Sequence, residues 1–256
     1  MPGHRSNASV ELATGISWDL DFLTDASGVD FAEVDGEPVV LIVSQGDHCI
    51  YWLNVRTGSV IDTTEACSLS ENPWGVILRD DSIWVNDWID DQVYYKKLGE
   101  LWHGFESPGA GIWQAGMDDE RWQGYFWMAS SSTAIRFDPY GGGGGSSWDL
   151  GPYLTEAEGI SCFNCQGHMW LAVTELETDY VFFYWWGSSG IEYVCQSYIP
   201  WINWQYSKGI TYDYLGDSFW WICKHDNGQY YLCEMEYEVT ALSGSTWGEI
   251  KAVWSF

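Results

Sequence analysis

Positive charge is scarce in this chain: ten Lys and Arg stand against 37 Asp and Glu, a formal net charge of −27. So acidic a surface repels phosphate, which excludes nucleic acid and anionic membranes as partners. Long apolar runs are also missing. None approaches the ~20 residues of a membrane-spanning helix, so membrane insertion is not expected. The polar start, Met1-Pro2-Gly3-His4-Arg5-Ser6, lacks the apolar core of a signal peptide, and export is not legible there. Catalytic signatures are absent as well: no G-x-S-x-G elbow, phosphate loop or dinucleotide fingerprint occurs. The histidines His4, His48, His103, His168 and His225 show no metal-ligand spacing. Gly141 to Gly145 is a glycine run without a Lys, a flexible loop rather than a phosphate cradle.

What the chain does have is 19 Trp, 16 Tyr and 28 Gly in 256 residues. Aromatic residues suit a pleated, half-buried surface and glycine supplies turns, so many short strands are expected and helices are not. A repeat organises them. Gly116-Met117, Gly159-Ile160 and Gly209-Ile210 are each followed by a Trp eleven residues after the glycine, and Gly75-Val76 by Trp84 nine residues on. A first copy is placed at Gly15-Ile16, with an insertion over residues 23–37 and Leu41 near the Trp position. Within copies, strands such as Ser82-Ile83-Trp84-Val85 and Gln92-Val93-Tyr94-Tyr95 alternate with turns, of which Asp226-Asn227-Gly228-Gln229 is the strongest. The spacing predicts an all-β propeller of about five four-stranded antiparallel blades, with six the alternative. One domain over residues 1–256 is expected, its blades starting near Gly15, Gly75, Gly116, Gly159 and Gly209.

Gly209-Ile210-Thr211-Tyr212-Asp213, followed by Phe219-Trp220-Trp221, resembles the blade opening of secreted bacterial propellers with YVTN- and NHL-like repeats. Thr246-Trp247-Gly248-Glu249-Ile250 looks like the closing strand of such proteins. The resemblance implies the architecture and an extracellular or cell-surface setting, and brings no activity with it. Glu158-Gly159-Ile160 is also similar to an element of the glutaminyl cyclase type of five-bladed propeller.

Hairpin counting places Cys49 opposite Cys67 and Cys223 opposite Cys233, two expected disulfides that favour export. Cys162 and Cys165 have C-x-x-C spacing and are read as a third bridge, leaving Cys195 without a partner. No motif requires a cofactor. Calcium, which takes several carboxylate oxygens, is the ion the acidic turns would accept, with Asp87, Asp90 and Asp91 as its candidate ligands.

Trp84, Trp127, Trp170 and Trp220 are read as equivalent core positions. Trp74, Trp122, Trp201 and Trp204 fall near strand edges or connections and are the candidate ligand-binding residues. Asn7-Ala8-Ser9 is a glycosylation sequon. The function expected from these features is a non-enzymatic structural or adhesive module, self-associating into a filament or oligomer or docking other extracellular proteins. A lectin-like propeller binding glycans is the alternative, and a propeller enzyme of glutaminyl-cyclase or lactonase type the second.

Overall fold

The computed structural model describes residues 8–107, 114–141, 145–165, 167–176, 178–187, 190–201 and 204–241. The sequon at Asn7 and the Thr246–Ile250 stretch lie outside these residues. Every regular element among them is a strand, and the strands form five four-stranded antiparallel sheets, a five-bladed β-propeller. Strand β1 (Ala8–Asp19) belongs to the last blade. Blade 1 is β2 (Ala26–Val34), β3 (Glu37–Ser44), β4 (Cys49–Asn54) and β5 (Ser59–Glu65). Blade 2 is β6 (Pro73–Arg79), β7 (Ser82–Asp87), β8 (Gln92–Lys97) and β9 (His103–Glu106). Blade 3 is β10 (Gln114–Glu120), β11 (Tyr125–Ser130), β12 (Thr133–Phe137) and β13 (Gly145–Asp149). Blade 4 is β14 (Ala157–Cys165), β15 (His168–Glu175), β16 (Tyr180–Gly187) and β17 (Gly190–Tyr198). Blade 5 is β18 (Trp204–Asp213), β19 (Ser218–His225), β20 (Tyr230–Ala241) and, as its outer strand, β1.

That closure corrects the expected start of the first blade. Gly15 lies within β1, beside β20, where Ala8 faces Ala241 and Asp19 faces Tyr231. The first inner strand instead carries Gly28-Val29, 47 residues before Gly75, and no insertion is needed. The reason glycine recurs is steric. A Cβ on Gly28 would lie 2.6 Å from the Gly75 Cα, and one on Gly75 2.8 Å from the Met117 nitrogen. On Gly116 it would lie 2.8 Å from the Gly159 Cα, on Gly159 2.7 Å from the Ile210 nitrogen, and on Gly209 3.1 Å from the Ser27 carbonyl. The contacts run blade to blade and close the ring, so each glycine marks where one inner strand touches the next.

Apolar side chains fill the wedges between blades, one cluster to each interface. Trp84, Trp127 and Trp220 pair with Ile77, Asp118 and Thr211, each two residues after its glycine, and are fully buried. Trp170 is not their equivalent. It pairs with Phe163, two residues further along a longer hairpin, and Ala172 takes the matching place opposite Ser161.

Polar side chains at that same inner position tie neighbouring blades. The Asp30 carboxylate accepts from the Leu78 N–H at 2.8 Å, Asp118 from the Cys162 N–H at 2.6 Å, and the Thr211 hydroxyl from the Phe31 N–H at 3.0 Å. Burial pushes the Asp118 carboxyl up to about 7, and raises Asp30 well above the carboxylate range against the pull of Arg121. Arg121 closes the lower end of the axis. Its guanidinium donates to the Phe31 carbonyl, lies 3.7 Å from Asp30 and covers the Tyr214 ring at 4.7 Å. Beside it, Arg136 makes a two-pronged ion pair with the fully buried Glu120, at 2.6 and 3.0 Å. Arg136→Ala strands that carboxylate and is expected to cost about 3–5 kcal/mol in denaturant unfolding. A loss within about 0.5 kcal/mol would show that water solvates Glu120.

Candidate functional site

The inner strands begin at the upper end of the axis, and all five slip register there. The shifts fall between Ala26 and Val29, Pro73 and Val76, Gln114 and Met117, Ala157 and Gly159, and Ser207 and Gly209. A bulge breaks the strict alternation of a strand and re-aims the residue at the break. The residue before the glycine therefore leaves the blade wedge, and its identity is free to vary: Ser27, Trp74, Glu158 and Lys208.

The large ones meet. The Lys208 ammonium sits 4.8 Å over the Trp74 ring, and Trp74 stacks on Trp88 with centroids 5.2 Å apart and planes 27° from parallel. The Ser27 hydroxyl donates to the Trp74 carbonyl at 3.0 Å, fixing the backbone beneath the ring. Glu158, only 5% exposed, lines a cleft of about 280 Å³ with Trp88, Ser131, Thr155, Glu156 and Ala157. Its Oε2 is buried and has no hydrogen-bond partner among the described residues, and neither has the Trp74 indole N–H. Burial pushes the Glu158 carboxyl up to about 8; Lys208 pulls it down, while Glu156 and Asp25 push it further up. A carboxyl that changes charge near neutrality, with one oxygen unengaged and a cation and two indoles beside it, is equipped to accept and return a proton. Nearby, Glu175 holds the lip in place by accepting from the Thr155 N–H and hydroxyl, both at 2.7 Å.

The four tryptophans proposed from sequence do not form one site. Trp74 is in the mouth. Trp122 is exposed on the turn after β10, at the lower end of blade 3. Trp201 and Trp204 pack at the interface of blades 4 and 5, where the Trp201 N–H donates to the Glu234 carbonyl and Trp204 meets Trp221 edge-on. Glu158, Lys208, Ser27 and Trp88 were not singled out as binding residues. For Glu158 and Lys208 a signal was present, as the residue immediately before a repeated glycine; Ser27 precedes Gly28, which the repeat pattern did not reveal.

Two of the calcium candidates, Asp87 and Asp90, accept hydrogen bonds within or near their own turn. Asp87 is fully buried and accepts from Ser70, the Asn72 and Ile89 N–H groups and the Asp90 N–H, so it organises its own turn. Asp90 accepts from the Tyr94 hydroxyl at 2.7 Å. No three His, Cys, Asp or Glu side chains among the described residues converge as metal ligands.

All seven cysteines are free thiols. Strand register differs from hairpin counting: Glu65 faces Cys49, and Tyr231 faces Cys223. Cys233 faces Trp221, leaving Cys223 and Cys233 diagonal neighbours in thiol contact. Cys162 and Cys165 are three residues apart on one strand and so point to opposite faces, into the clusters on either side of blade 4. The C-x-x-C spacing therefore makes neither a bridge nor a zinc pair here.

No protein-family model matches the chain, and no curated protein matches it in sequence. Solved structures do match in shape. Myxococcus xanthus glutaminyl cyclase has a TM-score of 0.65 at 10% identity, over 90% of this chain and 98% of that one. The nidogen/laminin complex contains a chain with a TM-score of 0.54 at 13% identity, covering 85% of each. A catalytically inactive virginiamycin B lyase from Staphylococcus aureus, solved with quinupristin, gives 0.51 at 15% identity, over 93% of this chain and 75% of that one. At such identities the likeness is one of fold: this chain is a five-bladed β-propeller.

Proposed function

We propose that the chain is an enzyme working at the upper mouth of the propeller, with Glu158 as its general acid and base. The observation that supports this is the buried, unpartnered Glu158 carboxyl, pushed up to about 8 beside Lys208 and the Trp74–Trp88 pair. A structural or filament-forming module needs no such group on its axis. Buried ionisable side chains cost stability and tend to persist where a reaction uses them.

The reaction class that suits the site is internal aminolysis of an amino-terminal glutamine, the activity named for the Myxococcus structure that shares the fold. The peptide's α-amine attacks its own γ-carboxamide carbon. The Glu158 carboxylate takes the proton from the attacking nitrogen, Lys208 faces the charge gathering on the carboxamide oxygen, and the indoles hold the side chain folded on itself. Glu158 then returns the proton to the amide nitrogen. The carbon–nitrogen bond breaks, ammonia leaves, and a five-membered lactam remains. Ammonia release from a glutamine-initiated peptide is the test, with kcat/KM rising as pH passes about 8. Release no faster than the uncatalysed rate would overturn the reading.

The aromatic faces beside carboxyls favour a second reading, sugar binding at the same mouth. A glycan that quenches the mouth tryptophans while glutamine peptides do not would select it.

A further inference from the structure

The loops around the upper end of the propeller carry acids and no basic residue, although Lys208 and Lys224 lie on strands at that end and the lower-end turns hold acids such as Asp80, Asp81 and Asp217 beside the arginines. Strands β2, β6, β10, β14 and β18 run from the upper end to the lower, so the loops joining blades, and those joining second to third strands, surround the mouth. Asp21, Asp25, Asp47, Glu71, Glu156 and Asp226 stand in those loops, and their described residues include no Lys or Arg. Every described arginine lies at the other end. Arg56 is in the turn after β4, Arg79 ends β6, Arg121 follows β10, and Arg136 is near the lower end of β12. Lys96 and Lys97 close β8 at that end as well. The mouth also has apolar groups on its rim: Leu69, Ile89 and Tyr153 are about half exposed there, at 55%, 45% and 52%.

Among the described residues, the axis is packed below the mouth. The inner strands touch around the glycine ring, β10 packs across the axis onto β2 and β18, and Arg121 bridges to Asp30 and Phe31 below. A ligand that enters the cleft from the mouth passes these acidic loops. The unpartnered Glu158 oxygen lies at the bottom of that approach.

Resting on the reading of this mouth as a site for a peptide amino terminus, we infer that its substrate is a basic peptide. The terminal residue occupies the cleft beside Glu158, and lysine or arginine in the following few positions lies over the carboxylate rim. Complementary charge of this kind speeds encounter and is screened by salt, whereas a merely acidic protein would show no dependence on which end bears the charge.

The test is peptide binding to Glu158→Gln protein, read by tryptophan fluorescence, so that turnover does not interfere. Two glutamine-initiated peptides are compared, one continuing with lysines and arginines and one with glutamates. At low salt the basic peptide should bind at least about tenfold more tightly, and the gap should shrink to about threefold or less at half-molar salt. A Glu71→Lys/Glu156→Lys variant should lose most of that preference. A Glu37→Lys/Glu100→Lys variant, with the same change in net charge at the lower end, should keep it. Equal affinity for the two peptides, no binding of the basic one, or equal loss in both variants would each overturn the inference. Ammonia release measured separately with wild-type protein distinguishes the two claims. Turnover without charge preference removes only the basic-substrate inference, and charge-dependent binding without turnover removes only the cyclisation.

Discussion

Replacing Glu158 by Gln is expected to abolish ammonia release and, at pH 8, to make the protein more stable. The two effects come from one property. The carboxyl titrates near 4.5 when unfolded and near 8 when folded, because burial disfavours its charged form. A folded-state value raised in this way favours the folded protein's protonated form. The native state is therefore at no disadvantage below about 4.5, and loses stability as pH climbs from there to about 8. Each pH unit in that window costs at most about 1.4 kcal/mol for the one group. The amide of Gln has the same shape and no charge to desolvate. Its melting temperature should exceed that of wild type by several degrees at pH 8, and match it at pH 4.5. Asp118 and Asp119, pushed up to about 7 and about 6, add the same sign of dependence, so wild type itself should melt higher at pH 5 than at pH 8. A Gln variant that melts lower at both pH values would mark Glu158 as a structural residue and remove it from the chemistry.

Gly116→Ala should be severely damaging. Its Cβ would lie 2.8 Å from the Gly159 Cα, 3.0 Å from the Ile160 nitrogen and 3.1 Å from the Glu158 carbonyl. All three are backbone atoms of an inner strand held on both sides, so no rotamer change relieves the clash. The expected loss is about 3 kcal/mol or more, at the upper end of overpacking costs. Gly99→Ala is the control. That glycine has φ +86° with nothing within 4 Å, so its alanine meets only backbone strain, of about 1 kcal/mol. Equal losses from the two substitutions in denaturant melts would show that the inner strands can part to admit a methyl. The damage from Gly116→Ala should also reach the site, because the clash falls on the strand that presents Glu158.

The architecture was legible because propeller repeats write packing constraints into sequence at fixed intervals. Gly75, Gly116, Gly159 and Gly209 could be found from the strand patterns that follow them. Gly28 was missed because its blade has Leu41, not Trp, at the marker position, and Gly15-Ile16 imitates the motif on a strand that closes the ring from outside. The strand register at the cysteines was hidden for a different reason. Hairpin counting cannot see the slip between Trp52 and Leu53, and it misjudges by two residues which side chain faces Cys223. The mouth was the least legible part. Glu158 and Lys208 each stand just before a repeat glycine, but only the shared bulge, known from register, puts them on one axis. Trp88 reaches them from another loop altogether.

The pairing of β1 with β20 bears on how the protein comes to be made. Gln229, at the start of the β20 hairpin, holds Asp19 across 210 residues of chain. During synthesis β1 emerges long before its partner exists, while the blade that needs it is the last to be completed. Until then β1 is an amphipathic ribbon with no sheet, and β20, once made, presents a bare edge open to any strand. The slowest folding event should therefore be the search of β20 for β1, and it is at that step that two molecules made side by side would exchange their β1 strands.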